Sequence, residues 1–294
     1  MAELSTPRRF SVPVVVQRLR PAPTAALLVL FVLALFATLG PALTSADESL
    51  VDFASAGTAP SGAHPFGTDG TGRDLLAMVA VAMRVSLGIA LVTAAVSTVV
   101  GVVVGLIAGL LGGWWDRIVM RIADAFTALP SLLLSILIVA MFSGSVPAII
   151  VSLVLTHWTA VARVVRTEVL PLRDAEFVQA ARLAGVPSHR IARIHLLPVV
   201  AGQAAVGAVF LVAHAIWHES TLSFLGLGLP AHRASLGTLL SDAQEALLLG
   251  QWWRLLFPAG AIIAATLALA VLGRAGASGT ARGDRGGAAA GSHA

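Results

Sequence analysis

The sequence predicts an all-α polytopic membrane protein with six transmembrane helices, cytoplasmic N and C termini, and short cytoplasmic helices between the fourth and fifth spans. Two observations support this fold class. Of the 294 residues, 57% are hydrophobic and 12% are charged, with a mean hydropathy of +0.89, unlike a soluble domain. The charges are also segregated, because five long windows contain none and about 20 apolar residues cross a bilayer.

A turn divides the longest uncharged window, 125–162, into two spans. The turn, 143–147, combines serine, glycine and proline, which interrupt helices. We therefore place six spans at 24–44, 85–112, 118–142, 146–163, 198–218 and 254–273. The remaining segments are a cytoplasmic N-terminal segment at 1–23, an external loop at 45–84, and a Gly/Ala/Arg-rich tail at 274–294 that we expect to be disordered.

The arginines set the orientation of these spans. With a cytoplasmic N terminus, fifteen of the 19 cationic residues lie on the cytoplasmic side, and all of them are arginine. This asymmetry is typical of membrane proteins, whose cytoplasmic segments are enriched in positive charge. The high isoelectric point therefore needs no nucleic-acid partner.

The first apolar segment has two interpretations. Arginines precede it, and Thr44-Ser45-Ala46 resembles the small-residue cleavage site of a signal peptide. However, the apolar run from Ala25 to Leu43 is long for a signal peptide and matches a span. We favour a retained membrane anchor.

The external loop contains a dense cluster of turn-forming residues. His64, Asp69 and Asp74 could serve as metal ligands, but carboxylates beside glycine and threonine more commonly order turns. We therefore predict an ordered loop and no metal site in this chain.

Glycines recur every four residues in the second span, at 101, 105, 109 and 113. Small residues at this spacing form a groove that admits another helix at close range. The partner is either a helix of the same chain or a helix of a second subunit.

The polar side chains within the spans are few. We expect Asp124 to form a structural ion pair with Arg117 or Arg121, and Pro130 to kink the third span. His157 and His214 are candidates for a translocation path. Trp217 and His218 suit the membrane interface.

Residues 174–198 form a charged, amphipathic segment between the fourth and fifth spans. Asp174 is a predicted N-cap, and Phe177, Ala180, Ala181 and Ala184 repeat at helical spacing. Gly185 suits a left-handed C-cap. Ser188 would cap a second short helix that ends at Leu197-Pro198. The pattern predicts two short helices that form a docking element.

The composition excludes several classes of function. Cysteine and lysine are absent, which removes thiolate metal sites, Schiff-base chemistry and a phosphate-binding P-loop. No HExxH or GxSxG motif and no pair of intramembrane carboxylates is present, so we predict no enzyme activity. An ion-coupled secondary transporter is an alternative to an ATP-powered permease, but no internal repeat supports it.

Four blocks between residues 64 and 273 resemble permease subunits of bacterial ABC importers, in the dipeptide/oligopeptide/nickel group. They are His64-Pro-x-Gly-Thr-Asp-x-x-Gly-Arg-Asp74, the stretch 179–198 that is similar to the EAA loop, Glu219–Pro230, and 251–260. The resemblance implies a multi-pass protein of the bacterial inner membrane. It also makes 85–273 a permease domain, with 174–198 as its ATPase-coupling loop.

The resemblance further implies which residues and partners act. The coupling residues would be Glu176, Gln179, Ala180, Ala181, Gly185, Leu197 and Pro198. Partners would be ABC ATPase subunits that use ATP, a second related permease and an extracytoplasmic solute-binding protein. This chain itself would bind no cofactor. Three departures stand out: Gln179 replaces the family's usual glutamate, Leu236 precedes Gly237 in place of tryptophan, and the acidic closing motif is missing.

Overall fold

A computed structural model describes residues 21–43, 51–142, 145–230 and 233–291. Residues 1–20 of the predicted N-terminal segment 1–23, the predicted cleavage-like site at 44–46 and the first two residues of the predicted turn at 143–147 lie outside these ranges. The described part is helical, with ten α-helices: α1 Pro21–Leu43, α2 Leu75–Leu111, α3 Gly113–Ala128, α4 Ser131–Met141, α5 Val146–Arg173, α6 Glu176–Leu183, α7 Ser188–Ile191, α8 Leu197–Phe224, α9 Leu236–Leu248 and α10 Trp253–Gly291.

Within the described ranges, five helical stretches are long and apolar enough to cross a membrane. A sixth span results if α3 and α4, bent by 83° relative to each other, count as one. The predicted kink at Pro130 is therefore a sharp break between two helices. Pro130 cannot continue a helix because its nitrogen carries no hydrogen, and the preceding Leu129 is extended (φ −91°, ψ 140°).

Helix α2 is the long central element of the bundle. It begins at Leu75, ten residues before the predicted start, because the Asp74 side chain accepts hydrogen bonds from the amides of Leu76 and Ala77. The exposed Arg84 is accommodated within the helix. With 37 residues, α2 is about 55 Å long, and it packs mainly against α5 and α8.

The glycine groove of α2 receives α5 of the same chain. A side chain at Gly105 would place its Cβ 2.6 Å from the Ala162 carbonyl oxygen and 2.8 Å from Cβ of Val165. Gly101 and Gly109 face Val161 and Val169 of α5 in the same way. Gly113 does not belong to the groove, since it lies beyond α2 at a φ of +57°. Intrachain packing is therefore the role of this groove.

The fifth span is longer than predicted. A π-helical turn at Ala192–Leu196 joins α7 to α8, so the backbone is helical from Ser188 to Phe224. The prediction that Leu197-Pro198 ends the second short helix is therefore wrong. Pro198 has no amide hydrogen to donate to the carbonyl oxygen of Ile194, and its ring crowds that oxygen. The turn just before it widens, with the Leu197 amide bonded to Ala192.

Helix α9, which follows the loop after α8, was not predicted from the sequence. Ser235 begins it with a capping box, in which the Ser235 and Thr238 side chains bond each other's backbone amides. Helix α10 follows and extends to Gly291, through much of the segment predicted as a disordered tail. Its membrane-spanning part is Trp253–Ser278.

Candidate functional site

The 174–198 segment and the 51–74 loop lie at opposite ends of the bundle. The first reaches the end of α2, where a guanidinium nitrogen of Arg182 donates a hydrogen bond to the Leu110 carbonyl at 3.4 Å. The second leads into the start of α2 through Asp74. About 55 Å of helix separates them.

Helix α6 ends in a well-formed turn. Gly185 adopts a φ of +77°, and the amides of Val186 and Gly185 donate to the carbonyls of Ala181 and Arg182, each at 3.0 Å. These two bonds define a Schellman motif, which confirms the predicted left-handed cap. Ala181 and Val186 both pack against the core, so the turn is held in place.

The segment has one buried face and one exposed face. Val178, Ile191 and Leu196 are fully buried in the main hydrophobic core, together with residues of α2 and α5. On the outside, Leu183 is 91% exposed, Ile194 56% and Phe177 47%. Of the predicted stripe, Phe177, Ala180 and Ala184 are exposed, and Ala181 is partly buried. The predicted stripe therefore forms a surface, and Val178 anchors the helix.

Two predicted caps are wrong, and Gln179 provides a different contact. Asp174 ends α5 and does not begin α6, whose first flanking residue is Ala175. Ser188 is the first residue of α7 and makes no capping bond with its side chain. The Gln179 side-chain amide donates to the Asp174 carbonyl at 3.3 Å. Glu176 lies exposed in the first turn of α6.

Ion pairs tie α3 to α5 near the same end of the bundle. The Arg166 guanidinium binds both carboxylate oxygens of Asp116, a bidentate geometry that fixes orientation. Asp124 pairs with Arg163 of α5 at 2.9 Å, so its predicted pairing with Arg117 or Arg121 is wrong. Arg117 and Arg121 do not form this ion pair, because α5 runs alongside α3 in the folded chain and brings Arg163 to Asp124.

The 51–74 loop is ordered by its carboxylates, as predicted. Oδ1 of Asp69 accepts from the amides of Thr71 and Arg73, and Oδ2 accepts from Nε of Arg73 at 2.7 Å. Burial would raise the pKa of Asp69, but these hydrogen bonds outweigh it and hold the pKa below its ordinary value. His64 and Asp74 bond each other at 2.9 Å. The carboxylates of Asp69 and Asp74 therefore order a turn and the start of α2.

A buried carboxylate lies between α8, α2 and α9. Glu219 is fully buried, and its oxygens accept hydrogen bonds from Ser86 at 2.8 Å and Ser223 at 2.9 Å. Sequence reasoning did not single out Glu219, since its serine partner Ser86 is 133 residues away. The run Glu219-Ser220-Thr221-Leu222-Ser223, with hydroxyls one and four residues after the carboxylate, is the signal that could have indicated it.

The two predicted path histidines lie together, and a third joins them. The ring of His157 in α5 is 5.3 Å from that of His214 and 5.1 Å from that of His218, centre to centre. His157 and His214 line a cleft of about 390 Å³ between α5, α8 and α10. His218 is buried, with a relative exposure of 2%, so its ring faces the inside of the bundle, whereas the neighbouring Trp217 is exposed.

Comparison with known proteins identifies the family of this chain. Residues 101–276 match the family described as binding-protein-dependent transport system inner membrane component. The chain belongs to this permease family. Over 249 residues it is 38% identical to the dipeptide transport system permease protein DppC of Bacillus subtilis, covering 85% of this chain and 78% of that one. It is 41% identical to the oligopeptide transport system permease protein OppC of Escherichia coli over 244 residues, or 82% and 80% of the two chains.

The permease is therefore a multi-pass protein of the cytoplasmic membrane and a component of an ABC importer. The match spans the groove of α2, the 174–198 segment, the histidines and most of α10. The relatives are transport proteins, in agreement with the prediction of a permease without enzyme activity.

Proposed function

We propose that this permease forms the translocation path of an ATP-driven importer for peptides or a related small solute. A second related permease subunit would complete the path, ABC ATPase subunits would supply the energy, and an external binding protein would deliver the solute. The printed names of the relatives, dipeptide and oligopeptide permeases, support the substrate class.

The observation that carries the proposal is the two-faced construction of the 174–198 segment. Its inner side chains, Val178, Ile191 and Leu196, belong to the same core as the spans. Its outer side chains, Phe177, Leu183 and Ile194, are large, apolar and exposed in the described part of the chain. A partner that binds this surface would move the spans, because the buried face does not slide independently of a close-packed core.

ATP would be hydrolysed on another subunit. The chain contains no lysine, so it cannot form a P-loop. The asymmetry of the arginines supports a cytoplasmic position of the 174–198 segment, where an ATPase could reach it. The coupling residues would be Glu176, Gln179, Ala180, Ala181, Gly185, Leu197 and Pro198, on or next to the exposed surface.

The path would lie along the face of α5 and α8 that carries His157 and His214. His214 is exposed on a membrane-spanning helix, and a polar side chain there faces water or a protein partner in preference to lipid. The adjoining cleft is bordered by Gln203 and Gly207. A second permease packed against this face would enclose a passage with polar groups along it.

The coupling role can be tested by Gly185→Arg in the assembled transporter. At a φ of +77°, any other residue strains the Schellman turn, yet a Cβ at Gly185 meets no atom within 4 Å. We expect membrane insertion to be normal while transport and solute-stimulated ATPase activity are lost. Gly250→Arg is the matched control, with a φ of +76° and equally open surroundings in the turn before α10. It should retain transport and solute-stimulated ATPase activity.

Normal uptake by the Gly185→Arg variant would refute the coupling role. The alternative, an ion-coupled secondary transporter, makes a separate prediction. In that case the purified chain alone would carry proton- or sodium-driven flux in liposomes, and no ATPase would co-purify with it.

A further inference from the structure

Three imidazoles meet between α5 and α8, and we propose that they bind a divalent late transition-metal ion. One ring nitrogen from each of His157, His214 and His218 lies within 4.8 Å of the other two. Within the described ranges, these three histidines are the one cluster of potential metal ligands with at least three members close enough to share an ion. The site departs from the sequence-based prediction of no metal.

The backbone fixes the tautomer of His157. Its Nδ1 lies 2.6 Å from the Leu153 carbonyl oxygen, which can only accept a hydrogen bond. Nδ1 must therefore carry the hydrogen, and Nε2 keeps its lone pair. A ligating histidine commonly donates its second ring N–H to a backbone carbonyl in this way, which orients the ring and makes the ligating nitrogen more basic.

His218 supplies the second observation. Its Nδ1 is fully buried and has no hydrogen-bond partner among the described residues. Because His218 is only 2% exposed, solvent does not supply a partner either. A buried polar atom without a partner is costly, and such atoms call for an explanation. A metal ion held through Nδ1 of His218 would give this nitrogen a partner.

The spacing and the ligand type favour one class of ion. Nitrogens bound to a tetrahedral ion at 2.0–2.1 Å are about 3.3 Å apart, so modest side-chain rotations would close the present group around an ion. Imidazole suits Zn²⁺, Ni²⁺, Cu²⁺ and Co²⁺, whereas Mg²⁺ and Ca²⁺ prefer oxygen ligands. The i, i+4 spacing of His214 and His218 places both rings on one helical face, as in helical zinc sites.

The fourth coordination position would face the cleft. His157 and His214 both line this cleft, and the exposed His214 completes the ligand set from its open side. Three protein ligands with one open position are typical of sites that exchange water or a solute at the metal. Because the ligands come from two helices, the ion would also bridge α5 and α8. This binding site does not depend on the proposed transport function.

The test is metal titration of the full-length chain, purified in detergent with an affinity tag that contains no histidine. Zn²⁺ binding is measured calorimetrically, and Co²⁺ binding by its visible d–d absorption, which is strong in tetrahedral sites. We expect one ion per chain. His214→Ala and His157→Gln should weaken binding by at least about tenfold and abolish the tetrahedral Co²⁺ band.

The matched control is His189→Ala, which removes an exposed histidine of α7 and should leave binding unchanged. His214 is exposed, so its replacement tests the site without removing a buried side chain. The proposal is overturned if the wild-type chain shows no saturable binding. It is equally overturned if His214→Ala binds like wild type, or if His189→Ala removes the binding.

Discussion

The Ser86 hydroxyl lies 2.8 Å from Oε2 of Glu219 and donates a hydrogen bond to it. The same hydroxyl accepts a bond from the Leu236 amide at 3.2 Å. One small side chain of α2 therefore connects α8 to the first residue of α9. All three residues are buried, so each bond forms where water cannot replace it.

Removing this hydroxyl should destabilise the permease. In Ser86→Ala, the buried carboxyl group of Glu219 and the Leu236 amide each lose a partner, and we expect a loss of about 1–3 kcal/mol in the free energy of unfolding. Denaturant titration in detergent, followed by tryptophan fluorescence, measures this loss.

Ser97→Ala provides the control. Ser97 lies on the same helix and is equally buried, but its hydroxyl has no hydrogen-bond partner in the described part of the chain. Its removal should be neutral or slightly stabilising. Equal losses in the two variants would show that Ser86 contributes packing alone.

The contact between α2 and α5 should not tolerate a methyl group at Gly105. A Cβ there would lie 2.6 Å from the carbonyl oxygen of Ala162, so Gly105→Ala must push the two helices apart. We expect lower thermal stability of the purified protein, in spite of the higher helix propensity of alanine.

Gly88→Ala is the comparison for this prediction. Gly88 lies on the same helix, and a Cβ there meets no atom within 4 Å. Helix propensity alone then determines the effect, and Gly88→Ala should increase the stability of the folded protein by up to about 1 kcal/mol. A Gly105→Ala variant as stable as Gly88→Ala would contradict the close approach of the helices.

Acid should loosen the 51–74 loop. The pKa of Asp69 is lowered in the folded chain from an ordinary value of 3.8. Its ionised form therefore contributes stability that is fully present above that value and is lost as the pH falls through the lower folded pKa. Hydrogen exchange of the amides of Thr71 and Arg73, corrected for the intrinsic rate, should show protection at neutral pH that declines in this acidic range.

Asp69→Asn should remove most of this pH dependence and reduce protection already at neutral pH, because the amide cannot pair with the Arg73 guanidinium. An unchanged pH profile in the variant would assign the acid sensitivity to another group.

Local patterns predicted the approximate positions of the spans but not all of their ends, because hydropathy and turn residues act over a few positions. The kink at Pro130, the cap at Gly185 and the ordered loop around Asp69 all follow from neighbouring residues. Contacts between distant segments could not be predicted in this way. Asp124 pairs with Arg163, which is 39 residues away, and not with the arginines on its own helix.

The candidate functional residues show the same difference between local patterns and contacts between distant segments. His214 and His218 are four residues apart, but only the packing of α5 against α8 brings His157 to them. At position 179, the sequence showed that glutamine replaces a charged glutamate, and the structure shows that the glutamine provides a hydrogen-bond donor. The side-chain amide bonds the Asp174 carbonyl, which a glutamate carboxylate could not do.

The π-helical turn at Ala192–Leu196 has a mechanical consequence. Because it keeps α7 and α8 continuous, the stretch Ser188–Phe224 is a single rod of 37 residues, about 55 Å long. A tilt of about 5° around one end displaces the other by about 5 Å, from the length of the rod. A small rotation of the 174–198 segment would therefore produce its largest displacement at the Glu219 end of this stretch, on the far side of the bundle.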